Sequence, residues 1–437
     1  MTTLASAEAG HSNLSKAPAI LAKAPWSDTS ESGLRITNVR TFMTAPQGVP
    51  YLIVRIETSE PGLYGLGCAS DPQRTLAVRS VVDDYYTPAL IGRDPADIED
   101  IHRLLLNSGY WRGGSIQGNA LAAIDVALWD LKGKAAAMPL YSLLGGRART
   151  HAETYTHVHG NTAAEIVDEI EKLRDDGYRH FRVQVTVPGS DTYGTTSTGV
   201  FGHSSDLRDG TWDALSYLTY VPTVLCGVRE LIGDGVELLH DAHQRLSIAQ
   251  ARQFAQAVEP ARLFFLEDVL APEDSEWFPQ LRALTTTPLA VGEVFGDIHQ
   301  YLRLIETRSI DFIRIRIPTL GGITPVRKLV AAAELFGIRT APHGPGDVSP
   351  VAQAANLALD ISAPNFGIQE AAIFRDETLD VFPGTFVPQH GVLVPSQIPG
   401  LGVDFDERLA ARFSAPAPLE HDRWAMLRNT DGSVQRP

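Results

Sequence analysis

Between residues 150 and 370 the chain repeats one device eight times: a short apolar stretch runs into a polar or ionisable residue and stops. The stretches are "AETYTHVHG", "HFRVQV", "VELLHDAH", "LFFLEDV", "PLAVGEVF", "DFIRIRI", "IRTAPHG" and "NFGIQE". Segments with helical periodicity separate them, among them "IVDEIEKLRDDG", "IAQARQFAQAVEP" and "VRKLVAAAELFG". Such regular alternation fits an α/β fold with a (β/α)8-type barrel better than an open sheet. A barrel of this kind carries its chemistry at the carboxyl ends of its strands. The polar residues obey that rule: His157, then Arg182 with Gln184, Asp241 with His243, Glu267, Glu293, Arg314 with Arg316, His343 and Glu370.

The barrel accounts for residues 149–370, and a chain of 437 residues leaves room for more. Residues 1–32, rich in Ala, Ser and Lys without a continuous apolar run, read as a disordered tail rather than a signal peptide. Residues 33–148 read as an α+β capping domain, strands first and helices after. Its helices are expected over 73–106 and again from Ser115, where Ala120, Ile124, Leu128 and Leu131 keep helical spacing until Gly145 and Gly146. Residues 186–212, rich in Gly, Ser, Thr and Asp, interrupt the barrel rhythm and read as a lid insertion. Residues 371–437 lack the repeat and are expected to return to the capping domain.

Composition excludes several classes. The net charge of −15 comes with no basic block, which argues against nucleic acid. No apolar run reaches the roughly 18 residues of a membrane span. The cysteines, Cys68 and Cys226, lie far apart and outside any CxxC pattern, so neither a disulfide framework nor a structural zinc site is expected, and a cytoplasmic location fits.

Asp241, Glu267 and Glu293 follow one another at 26-residue intervals, one βα unit each. Successive strands thus aim three carboxylates into one volume, where they would repel one another. A hard divalent cation removes that cost, and all-oxygen ligation favours Mg²⁺ or Mn²⁺ over zinc. His243, two residues beyond Asp241, is expected on the same strand face. His159 is expected to face away from His157 and to be structural.

Around these residues the chain resembles the enolase superfamily. "HDAH", "LED" and "GEVF" look like its metal-binding strands, and "AAIDVALWDLKGKAAAMPLYSLLGG" is similar to the helix closing its capping domain. More narrowly, "RVQVTVPG" with Tyr193, "HDAHQR", "TPLAVGEVF", "HGPGDVSP", "PNFGIQE" and "VFPGTFVPQHGVLV" resemble the mannonate dehydratase family. That resemblance implies a Mg²⁺-dependent dehydratase acting on a sugar acid to give a 2-keto-3-deoxy acid. It assigns Asp241, Glu267 and Glu293 to the metal, Tyr193 activated by Arg182 to the base, and His243 to the acid. It gives His157, Arg314, His343 and Glu370 to the substrate. A small-molecule sugar acid is the expected partner, and a homo-oligomer the expected assembly.

Two departures bear on the substrate. Pro72 stands where the family pattern has an asparagine that touches the sugar acid, and the chain ends in "DGSVQRP" rather than in a tail with tryptophan. Mannonate is therefore expected to turn over slowly or not at all, with gluconate or another aldonate as the alternative. An inactive relative kept for binding is a further reading, weakened by the intact carboxylate trio. A zinc hydrolase, suggested by "HVH" at 157–159, is weakened by the same trio.

Overall fold

The computed structural model describes residues 32–193, 211–415 and 427–436. The expected N-terminal tail and the middle of the lid insertion lie outside these residues.

The first unit is an antiparallel sheet of β1 (Ile36–Thr44), β2 (Tyr51–Thr58) and β3 (Tyr64–Cys68), in that order. Helix Ser115–Ala135 lies against β3 so closely that only glycine fits opposite it. A Cβ on Gly67 would stand 1.8 Å from the Ala123 carbonyl oxygen. Buried Asp130 on this helix accepts from the backbone N–H of Leu66 and of Leu401, tying helix, sheet and C-terminal segment together. Asp125 reaches across to the barrel and accepts from Thr324 N at 3.0 Å, at the start of helix Ile323–Leu335.

Two helix expectations need correction. The long helix stops at Ala135, well before the paired glycines, because Ala137 takes a left-handed φ of 51° and Pro139 follows. The 73–106 stretch is broken: helical turns run from Thr75 to Leu90, with a π-helical section at Val81–Tyr86, and a separate helix spans Ile98–Leu106.

The barrel strands are β4 (Ala152–Gly160), β5 (His180–Val185), β7 (Glu237–Asp241), β8 (Phe265–Glu267), β9 (Leu289–Val291), β10 (Phe312–Ile313), β11 (Arg339–Thr340) and β12 (Gln369–Glu370). They run parallel in the order β11-β10-β9-β8-β7-β5-β4-β12. A parallel bridge between Thr340 and Phe366, just before β12, joins the two ends of that path and closes the barrel. Alternate residues face outward onto the helices: Phe181, Val183, Leu238, Leu266, Ile313 and Ile315 all join the large core there.

The C-terminal segment divides. Glu407 pairs with Arg55 at 2.8 Å, and Tyr64 donates to Asp404 at 2.6 Å, so this part returns to the capping domain. On the way β13 (Val392–Leu393) adds antiparallel to β4. The last described residues go elsewhere. β14 (Arg428–Asn429) pairs with β6 (Thr211–Trp212), where the lid insertion rejoins the barrel, and Gln435 donates to the Arg245 carbonyl. The expectation that all of 371–437 returns to the capping domain is corrected accordingly.

Candidate active site

Inside the barrel, residues facing the axis form layers. The lowest is apolar: Tyr155, Leu239, Phe265, Ala290, Phe312, Ala341 and Ile368 make a cluster of their own, separate from the main core. Two residues further along each strand the character inverts. Tyr155 is followed by His157, Leu239 by Asp241, Phe265 by Glu267, Phe312 by Arg314, Ala341 by His343 and Ile368 by Glu370. β5 contributes Arg182. Because the side-chain period of a strand is two, both layers point inward.

Two buried guanidiniums hold the charged layer together. Arg182 lies 3.4 Å from Asp241, 3.4 Å from Glu267 and 3.5 Å from Glu370. Arg314 is enclosed completely; its Nε donates to Glu267 and its Nη2 to Glu370 at 2.6 Å, with Glu293 at 3.4 Å. His157 Nε2 sits 2.9 Å from Glu370, and His343 Nε2 sits 3.6 Å from Glu293. His243 Nε2 is 3.8 Å from the other oxygen of Glu293.

The ends of β7, β8 and β9 break the alternation. His243, Gln244, Asp268 and Gly292 all have positive φ, at 48°, 52°, 37° and 133°. His243 therefore reaches the site through a left-handed turn, its N–H donating to Asp241 at 2.7 Å, and not by sharing a strand face with Asp241 as expected. In β9 the inward position falls on Gly292, whose Cβ would collide with Tyr301, and the turn passes the carboxylate on to Glu293. The Tyr301 hydroxyl lies 2.8 Å from the carbonyl oxygens of both Gly292 and Arg314, and Asp268 accepts from Gly292 N at 3.2 Å. Above them the Tyr193 ring stacks on His243, centroids 3.5 Å apart and planes 13° from parallel. The Arg182 guanidinium is 5.6 Å from the Tyr193 ring centroid.

The electrostatics follow from burial and crowding. Burial, then Glu267, pushes Asp241 up to about 7. Glu293 and Asp268 are also raised well above the usual carboxylate range, by burial and then by their neighbouring carboxylates. Burial would raise Glu370 as well, but Arg314 and Arg182 hold it well below that range. Burial, together with Arg182 and Arg314 respectively, keeps His157 and His343 neutral-leaning. Burial lifts Tyr193 well above 10; Arg182 opposes this, while Glu293 and Asp241 add to it. Arg182 thus lowers the tyrosine as expected, but the net shift is upward, because burial and then the neighbouring carboxylates outweigh it.

The donor set fits a divalent cation. Five buried carboxylates, those of Asp241, Glu267, Asp268, Glu293 and Glu370, face two buried guanidiniums, Arg182 and Arg314. Ligand atoms of Asp241, His243 and Glu293 lie within 4.8 Å of one another, as do those of Glu267, Asp268 and Glu293. Glu293 is the shared member, so both other carboxylates of the expected trio reach it. Asp241 Oδ2 is buried without a hydrogen bond among the described residues, and Asp268 Oδ2 likewise. Oxygen donors in this excess suit Mg²⁺.

Sequence reading missed two residues here and misplaced one. Asp268 was hidden because alternation turns it outward and nothing in the sequence announces its positive φ. Asp347, inside the quoted "HGPGDVSP", lies 3.3 Å from Arg316, and its Oδ1 lacks a partner among the described residues. Arg316 in turn donates to the Ser70 carbonyl at 2.9 Å, anchoring the loop that carries Pro72 over the barrel mouth. His159 does not face away: it lies two residues from His157 on the same face of β4, and its charge bears on His157.

Comparison with known proteins agrees with this architecture. Residues 165–409 match the family described as enolase C-terminal domain-like, and residues 30–145 match the mandelate racemase / muconate lactonizing enzyme N-terminal domain. A D-galactonate dehydratase family member of Streptomyces sp. (strain SPB074) is 64% identical over 99% of this chain and 100% of its own length. Another from Pantoea ananatis (strain LMG 20103) is 43% identical over 93% and 100%. Among solved structures, an enolase from Pantoea ananatis with bound D-gluconate and Mg superposes with a TM-score of 0.85 at 42% identity, covering 93% of this chain and 100% of that one.

Proposed function

This chain belongs to the enolase superfamily, within its D-galactonate dehydratase family, and from that premise we propose that it dehydrates a sugar acid with Mg²⁺ as cofactor, giving a 2-keto-3-deoxy acid. Asp241, Glu267 and Glu293 would hold the cation. When bound, it supplies a fixed positive charge that stabilises the negative charge developing on the substrate carboxylate as its α-proton leaves.

The chain's own residues divide the proton traffic. Tyr193 takes the proton from C2, and His243 delivers one to the hydroxyl departing from C3. The observation that carries this assignment is their face-to-face stack at 3.5 Å beside the carboxylate cluster: adjacent carbons need adjacent proton carriers. Burial is the main cause that keeps the phenol protonated, and Glu293 and Asp241 add to it; neutralising those two carboxylates would remove their share and leave Arg182 better able to oppose burial. His157 and His343 reach the substrate from β4 and β11, while Arg314 and Glu370, enclosed in the charged layer, orient the groups around it.

D-gluconate is the first substrate to test, because the Pantoea protein holds it and because proline at position 72 offers no side-chain hydrogen bond. Incubating the protein with Mg²⁺ and a panel of C5 and C6 sugar acids should yield 2-keto-3-deoxy products from at least one aldonate, with mannonate slow or inert. In D₂O, His243→Asn should still exchange the C2 proton of the productive acid, whereas Tyr193→Phe and Arg182→Met should not. Full exchange in Tyr193→Phe would move the base to His343, whose ring is buried beside Glu293.

A further inference from the structure

A third inward layer lies above the charged one, and its member on β5 is Gln184. Phe181, Val183 and Val185 point outward into the core, so His180, Arg182 and Gln184 point toward the axis. Arg182 demonstrates this by its carboxylate contacts, and Gln184 stands one strand period beyond it, nearer the mouth. In the barrel register Gln184 sits opposite His159, which stands two residues beyond His157. Gln184 is 5% exposed, yet its side-chain oxygen is buried with no hydrogen-bond partner among the described residues. Native structures seldom leave such an acceptor unsatisfied. Unpartnered atoms in the charged layer below, such as Asp241 Oδ2, sit within the carboxylate cluster; among the described residues, no group accounts for the amide oxygen of Gln184.

We propose that Gln184 is a specificity-determining residue whose amide binds a hydroxyl of a polyhydroxy acid, on the part of the molecule away from its carboxylate end. The inference rests on the sugar-acid reading above. The substrate carboxylate belongs near the cation-binding layer, so a chain of several carbons rising toward the mouth passes Gln184 with its hydroxyls. The amide oxygen accepts from one of them, and the amide N–H groups are available to donate to the same or a neighbouring hydroxyl. A short hydroxy acid ends before reaching this height.

The test uses the full chain saturated with Mg²⁺. Calorimetry measures D-gluconate and L-lactate binding to the wild type, Gln184→Leu and Gln184→Glu, and a separate titration measures Mg²⁺ itself. Gln184→Leu should weaken gluconate about tenfold or more, the scale of a lost hydrogen bond to a buried polar group. Lactate and Mg²⁺ affinity should stay unchanged. Gln184→Glu, which keeps the acceptor, should recover part of the loss. Equal weakening of lactate and gluconate, or no weakening of gluconate, would overturn the proposal. Turnover is read separately. Gluconate binding that depends on Gln184, without product from any acid in the panel, would refute dehydration and leave the subsite standing. Absence of binding by every aldonate tested would refute both.

Discussion

Two layers of the same barrel, two residues apart along the same strands, obey opposite rules. In the lower one Phe265, Phe312, Leu239 and Ile368 pack as an apolar plug with almost no exposure. In the upper one, Glu267, Arg314, Asp241 and Glu370 are just as buried but charged. The plug gains from burial itself. The charged layer is opposed by burial and persists through mutual pairing, with an excess of carboxylate that a cation would neutralise. Stability and function are therefore separable by a single strand period, and substitutions on either side should fail in different ways.

The largest expected effect is on activity in the upper layer. Glu293→Gln should lower Mg²⁺-dependent turnover by roughly 10³-fold or more, the several kcal/mol that metal-ion catalysis supplies. Its melting temperature in EDTA should hold or rise, because crowding already works against this carboxylate. A variant that instead unfolds would dissolve the distinction between the layers. Below it, Phe265→Ala should leave the Mg²⁺ affinity of the folded fraction intact while costing about 3–5 kcal/mol of stability in denaturant titration, the usual range for emptying a buried aromatic site.

A third effect separates inward from outward faces on one strand. His240, next to Asp241 but facing the helices, is held neutral: its Nδ1–H donates to the Val183 carbonyl at 2.8 Å, and Tyr217 Oη lies 2.7 Å from its Nε2. Burial lowers its pKa from 6.5 to about 4. The folded state thus binds fewer protons than the unfolded one between these values. The stabilisation is complete above pH 6.5 and is lost as pH falls through about 4, with a size of about 3 kcal/mol. Denaturation curves of wild type and His240→Gln across pH 4–7 should differ in slope over that window; parallel curves would remove His240 as the cause.

The smallest effect concerns the turn that aims Glu293. Tyr301→Phe removes the hydroxyl shared by the Gly292 and Arg314 carbonyls and should cost about 1 kcal/mol. Mg²⁺ affinity should fall with it, since Glu293 hangs on that turn. Unchanged affinity would mean that the turn is held by Asp268 alone.

The difference between the layers also explains what the sequence made legible. Alternation exposes both faces of a regular strand, so the charged layer and the eight-strand rhythm were legible in the sequence, whereas the plug beneath them was not singled out. Two site readings failed where φ turns positive in residues other than glycine, and one, that of His159, failed on a regular strand. His243 reaches the site by a route that alternation does not describe, and Asp268 was overlooked for the same reason. Gly292 carried a signal, a glycine before the third carboxylate, whose meaning depends on Tyr301, a contact made from the 3-10 turn Ile298–Tyr301 that follows. Electrostatic sign was harder still. Arg182 lowers Tyr193, but burial outweighs it, helped by Glu293, Asp241 and Glu370 from three other strands. The path of residues 427–436 onto β6 left no periodic trace, because strands this short carry too few residues to show alternation.

The account turns on whether the excess carboxylate of the upper layer is a cation site. A crystal structure of the protein grown with Mn²⁺, with anomalous data collected at the manganese edge, addresses this directly. The prediction is one anomalous peak bonded to an oxygen from each of Asp241, Glu267 and Glu293, at about 2.0–2.2 Å as hard cations of this class require. A peak bonded to His243 and His343 without Glu267, or no peak in the barrel while the three carboxylates stay paired to Arg182 and Arg314, would contradict it.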